Sequence, residues 1–246
     1  MKCGRIKAHR PKFELIDLLR IPHKGKYLTV SYHAFGPNNF KDNVARMKQS
    51  YFHPKPGKVI SFREPTTSES ISVIAYDFEH LAKPKLQRSF QIGYIVKISE
   101  GVFANPPKDK QGNPIIDENI LKSYLNNIKK VNGIYLCEND FGFAPYDSFK
   151  QGLQDGNAFA KGGLARLLEH TSEKTAKNFN EIASSKFYKD GVNVSEFEFK
   201  DPILNVVSLY SDWFSSNNIL FVGKYFLGIG GSVFGVLNKG VKNTKK

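Results

Sequence analysis

The sequence predicts an α+β fold: strand-rich N- and C-terminal segments forming a mixed or antiparallel sheet, with a central helical region at about 117–185. Short apolar runs rich in β-branched and aromatic residues, bounded by Gly, Pro or polar clusters, lie before residue 100 and after residue 190. Helix-period apolar spacing is confined to the middle, so the order is strands, helices, strands rather than alternating βαβ units. With 40% hydrophobic and 13% aromatic residues among 246, the chain has material for a packed core. No stretch has the composition of a linker, and one domain over 1–246 is expected.

Taken in order, strands are expected at 13–19, 27–35, 58–62, 71–78 and 90–98. Alternation in 27–35 places Leu28, Val30, Tyr32 and Ala34 on a core face, with Tyr27, His33 and Phe35 opposite. Turn-forming residues mark loops at 53–57, 64–70 and 104–114. A helix is expected over 117–130, with Ile120, Leu121, Tyr124, Leu125 and Ile128 on one face and Asn132-Gly133 as its C-cap. After a short strand at 134–137, a helical region runs over 146–185 with a break near Thr171. Gly152, Gly156, Gly162 and Gly163 divide it into two or three short helices, since each internal glycine costs about 1 kcal/mol relative to Ala.

Strands follow at 192–199, 203–210, 219–227 and 233–237. Residues 219–237 approach the length and apolarity of a membrane span, and Gly231 and Gly235 make a small-xxx-small pair. Lys224, five glycines and basic residues on both sides argue instead for two buried strands joined by a turn at 228–232. No membrane partner is expected.

Only two cysteines, Cys3 and Cys137, occur, which fits free thiols in a reducing, cytoplasmic setting. Glu14 and Asp17 interrupt the first apolar run, so no secretory signal is read there.

The net charge of +13 is segregated. Residues 1–60 hold nine Lys and four Arg against Glu14, Asp17 and Asp42, or 13 − 3 = +10. Lys239, Lys242, Lys245 and Lys246 add +4, while 61–238 carry 19 basic and 20 acidic residues and are nearly neutral. Clustered cations raise the local potential and displace counterions from a phosphate backbone. Within the basic third, Tyr27, Tyr32, His33, Phe35, Phe40, Tyr51, Phe52 and His53 are interleaved with the cations. Rings beside cations can stack on splayed bases while the cations hold phosphates; the same rings serve equally as strand packing.

Three acidic groupings could support metal-dependent chemistry. Asp77 and Glu79 share a strand face at i, i+2, as do Glu196 and Glu198. Asp190, Glu198 and Lys200 imitate a D…ExK nuclease arrangement. Glu138 and Asp140 follow a short apolar strand, where ligand sites often lie, and Asp147 can cap the helix after it. The six histidines show no metal-ligand spacing, and neither GxSxG nor GxxxxGK[ST] occurs. No catalytic residue, metal or cofactor is assigned.

The leading expectation is a non-enzymatic protein that binds nucleic acid, RNA or a single strand, through Lys24, Lys26, Tyr27, His33, Arg46, Lys48, Lys55 and Lys58 with Lys242 and Lys245 of the tail. The alternatives are a self-assembling structural or scaffold protein of viral or phage type, a homo-oligomer built on the strand-rich C-terminal third, and a metal-dependent nuclease.

Overall fold

The structure is a computed structural model and describes residues 14–53, 58–80, 89–126, 128–195, 202–211, 218–223, 230–238 and 242–243. It is α+β, with 30% helix and 39% strand in mixed and antiparallel sheets.

Strands β1 (Asp17–His23) and β2 (Lys26–Tyr32) form a hairpin closed by Lys24-Gly25. Both turn residues have positive φ, 46° and 72°, the backbone of a type I′ turn whose twist matches the flanking strands. The chain then bends, so the expected single strand at 27–35 is two: β3 (Phe35–Asn38) starts a new direction. Phe35 is therefore buried core, not a partner of exposed Tyr27 and His33. Helix α1 (Phe40–Met47) follows, with Asn39 accepting the Asp42 N–H as N-cap and Phe40 and Met47 turned inward. Short strands β4 (Tyr51–Phe52), β5 (Lys58–Ile60) and β6 (Phe62–Arg63) complete this part. Phe35, Tyr51 and Phe62 pack mutually at 5.6–5.7 Å, so Phe35 and Tyr51 of the basic third, like Phe40, are core.

The expected strand at 71–78 is helix α2 (Thr67–His80). Thr66 and Glu69 form a reciprocal capping box: the Thr66 N–H donates to Glu69 Oε2 at 2.9 Å and the Glu69 N–H to Thr66 Oγ1 at 3.3 Å. Because that box nucleates a helix, the apolar run after it follows the 3.6 period, which buries Ile71, Ile74 and Ala75.

Next come β7 (Phe90–Ile98) and β8 (Gly101–Ala104), an antiparallel pair, and helix α3 (Glu118–Ser123), N-capped by Asp117. The expected helix over 117–130 is shorter because Lys130 already belongs to β9 (Lys130–Val131), which turns through Asn132-Gly133 into β10 (Ile134–Leu136). Asn132-Gly133, with φ of 48° and 89°, is thus a hairpin turn rather than a helix cap. Strand β11 (Gly142–Pro145) pairs with β10 and β8. The region 146–185 holds β12 (Gly152–Gln154) and three short helices, α4 (Gly156–Lys161), α5 (Gly163–Glu169) and α6 (Lys177–Ala183), with the break after α5 as expected.

Strands β13 (Gly191–Val194), β14 (Ile203–Ser211) and β15 (Ile219–Gly223) extend the main sheet, whose order is β12-β13-β15-β14-β7-β8-β11-β10-β9. Helices α2, α5 and α6 cover it: Ile71, Ile74, Leu164, Leu167, Phe179 and Ile182 share one core with Ile92, Val207, Leu220 and Val222. Strand β16 (Gly231–Val233) lies between β3 and β7, so Gly231 and Ser232 are strand residues, not a turn, and β15 and β16 do not pair with each other. Residues 228–229 of the expected turn are outside the described residues. Gly230 passes the Asn38 backbone so closely that a Cβ would lie 2.2 Å from the Asn38 carbonyl carbon, which leaves glycine alone there.

The chain ends return to its beginning. Strand β17 (Val236–Leu237) inserts between β2 and β6, pairing Val236 with Val30 and Arg63, and Asn238 donates to Ser61 at 2.9 Å. Strand β18 (Lys242–Asn243) pairs with β5, Lys242 opposite Val59 and Asn243 opposite Lys58. Among the described residues no helix is long and apolar enough to cross a membrane.

Candidate functional site

A polar network converges on Asp140 from four elements. The loop between β10 and β11 carries it, with Asn139 and Asp140 both left-handed at φ of 55° and 59°. Asp140 Oδ1 accepts from Lys24 Nζ of the β1–β2 turn at 2.8 Å; Oδ2 accepts from Thr66 Oγ1 and, at 2.9 Å, from Ser68 Oγ. Asn105, just after β8, donates to the Asp140 carbonyl at 2.9 Å and to Thr67 Oγ1 at 2.8 Å. It also accepts the Thr67 N–H at 3.1 Å. Gly93 makes room: at φ +150° a Cβ there would lie 2.7 Å from Thr67 Cγ2.

His170 ends α5 in a left-handed conformation. Its Nε2–H donates to the Cys137 carbonyl at 2.8 Å, which leaves Nδ1 as the acceptor facing Lys24 Nζ at 3.4 Å and Asp140 Oδ1 at 3.3 Å. Burial, then Lys24, hold the neighbouring His23 below its ordinary pKa; its Nδ1 meets Ser72 Oγ at 2.9 Å. His170 is likewise lowered, by burial foremost. Burial works against the Asp140 carboxylate, yet the Lys24 and Thr66 hydrogen bonds outweigh it and the group stays below the usual range. Beside this hub Arg63 grips Glu69 bidentately at 2.6 and 2.8 Å.

Lys24, Asn105, Asn139, Asp140 and His170 are five of the six non-glycine residues with positive φ among those described. Each such residue costs about 1 kcal/mol or more, and such strain collects where structure must place a group for use. Both histidine nitrogens and both Asp140 oxygens are engaged within the network.

Next to the network lies a cleft of about 590 Å3 between the capping box, the loop after β8, the end of α3 and the 137–139 turn. Tyr94 of β7, Tyr124 and Phe141 supply rings, Pro106 and Pro107 further apolar lining, and Glu64, Lys108 and Glu138 charge. Lys108 Nζ binds Glu64 at 2.6 Å. Burial foremost, with Glu64 nearby, raises the Tyr94 phenol. Burial also pushes the Cys137 thiol up to about 11, so it is protonated and unreactive at neutral pH.

The expected binding residues fall into groups. Lys24 lies in the β1–β2 turn and Lys26 opens β2, and Tyr27 is 63% exposed with the Arg20 guanidinium 4.3 Å above its ring. Lys24 is committed to Asp140 and is not a free cation. At the other end of β2, roughly 20 Å away at strand rise, exposed His33 stacks on Tyr32 and lines a recess of about 200 Å3 with Arg46, Tyr51, Glu14 and Asp17. Exposed Lys48 follows α1, and Lys58 and Lys242 lie on paired strands. Lys55 and Lys245 lie outside the described residues.

The acidic groupings separate. Asp77 and Glu79 sit on a helix, where i, i+2 residues do not share a face. Asp190 accepts the Asn218 N–H at 2.8 Å, while Glu196, Glu198 and Lys200 lie outside the described residues. Asp140 belongs to the network and Glu138 faces the cleft. Among the described residues no group of three His, Cys, Asp or Glu is placed to hold a metal ion.

Sequence reasoning missed Thr66, Ser68, Asn105 and His170. The T-x-x-E box at 66–69 was the available signal for the first two; His170 and Asn105 had none. No protein family, curated protein or solved structure matches the chain.

Proposed function

We propose that the protein binds single-stranded nucleic acid, RNA in the first instance, through the face where its C-terminal tail rejoins its basic first third. The carrying observation is the pairing of β18 with β5, together with β17 between β2 and β6. The pairing lays the tail strand carrying Lys242 against the strand carrying Lys58 of the basic first third, where clustered cations raise the local potential. Arg20, Lys26, Lys41, Arg46 and Lys48 are all exposed, and Tyr27 offers a ring beside Arg20.

The test is binding of a fluorescent uridine oligonucleotide by Arg46→Gln/Lys48→Gln, by Lys26→Gln and by a chain ending at residue 238. Each should weaken binding several-fold, uniformly across sequences, without lowering thermal stability. Unchanged affinity in all three contradicts the proposal.

A further inference from the structure

We infer that the cleft beside Asp140 receives one guanine base of the bound strand, while the strand's phosphates stay on the basic hairpin outside it. This rests on the nucleic-acid reading above and assigns a specificity site to it. Three observations carry it. The volume of about 590 Å3 suits a nucleoside-sized group. The rings of Tyr94, Tyr124 and Phe141 come from separate parts of the chain, and Tyr124 is 46% exposed at the mouth, offering a stacking face.

The charges decide which group enters. Glu64 and Glu138 line the cleft, and its one lining cation among the described residues, Lys108, is bound to Glu64. Glu138 is exposed and forms no ion pair among the described residues. Two carboxylates against one committed ammonium repel a phosphate but accept N–H groups, and acceptor-only carboxylates match an edge with two parallel donors. Among the common bases guanine presents that edge, its N1–H and N2–H2, and each can bond one carboxylate oxygen. Lys24 links the two surfaces: its hydrogen bond to Asp140 fixes the hairpin carrying Arg20, Lys26 and Tyr27 beside Asn139 and Glu138 of the cleft.

The experiment compares, at fixed salt, two single-stranded RNA oligonucleotides, one all uridine and one with a single central guanosine. Wild type should prefer the guanosine strand by about tenfold. Tyr124→Ala and Glu138→Gln should each bring the ratio close to one while leaving uridine-strand affinity intact. A ratio near one in wild type, with both strands bound, overturns the cleft assignment and leaves strand binding standing. A preference that survives both substitutions also overturns it. Failure of both strands to bind overturns the underlying reading, and the base assignment with it.

Discussion

Asp140 is a partly buried charge made tolerable by an ammonium and two hydroxyls, and its neighbours take non-glycine residues into left-handed backbone to reach it. Removing one partner of such a group leaves the others unsatisfied. Asp140→Asn should therefore cost about 2 kcal/mol of stability in urea unfolding, discounted for the half-exposed Lys24. His170 adds a pH signature. Its folded pKa is lowered by burial, so the unfolded chain binds the proton more readily; stability is fully present above the unfolded value of about 6.5 and declines as pH falls below it. Buried Glu169, raised foremost by burial, acts in the opposite sense. The difference between wild type and His170→Gln isolates the histidine: the variant should lose less stability between pH 7 and pH 5. Equal losses would contradict the account. Nothing local in the sequence marks this cluster, because Lys24, Asn105, Asp140 and His170 are brought together only by tertiary structure.

At the scale of elements, the strands at 90–98, 134–137 and 203–210 and the short helices of 146–185 were legible, since periodicity and glycine punctuation agreed there. Two misreadings share a cause: a local signal with a defined mechanism was outweighed by a looser pattern. The apolar, β-branched run at 71–78 suggested a strand, yet Thr66-x-x-Glu69 fixes a helix start. Asn132-Gly133 suggested a helix end, yet flanking apolar residues make it a hairpin turn. The capping box is also joined to Arg63, so Glu69→Ala removes a cap and strands a guanidinium; it should destabilise by about 2–3 kcal/mol, more than Asp117→Ala at the exposed start of α3, at about 1 kcal/mol. Comparable losses from the two substitutions would show that the Arg63 bond adds nothing. At the β1–β2 turn, Gly25→Ala meets no atom within 4 Å but keeps φ at 72°, so about 1 kcal/mol is expected from backbone strain alone.

For the whole molecule, the segregation of charge was legible in the sequence, but the pairing of residues 58–59 with 242–243 was not, because it is a contact of very long sequence range. That closure lays the strand carrying Lys242 beside the strand carrying Lys58, while the acidic cleft lies next to the β1–β2 hairpin.

The most direct measurement is the salt dependence of binding to a uridine oligonucleotide, for the full chain and for one ending at residue 238, which keeps β17. Engagement of about six to ten phosphates predicts a fall of roughly 300- to 10,000-fold between 50 and 200 mM salt. Loss of Lys239, Lys242, Lys245 and Lys246 should reduce the log–log slope by up to about 3. A flat response, no binding at 50 mM, or identical slopes for the two chains would contradict a surface shared by the two ends.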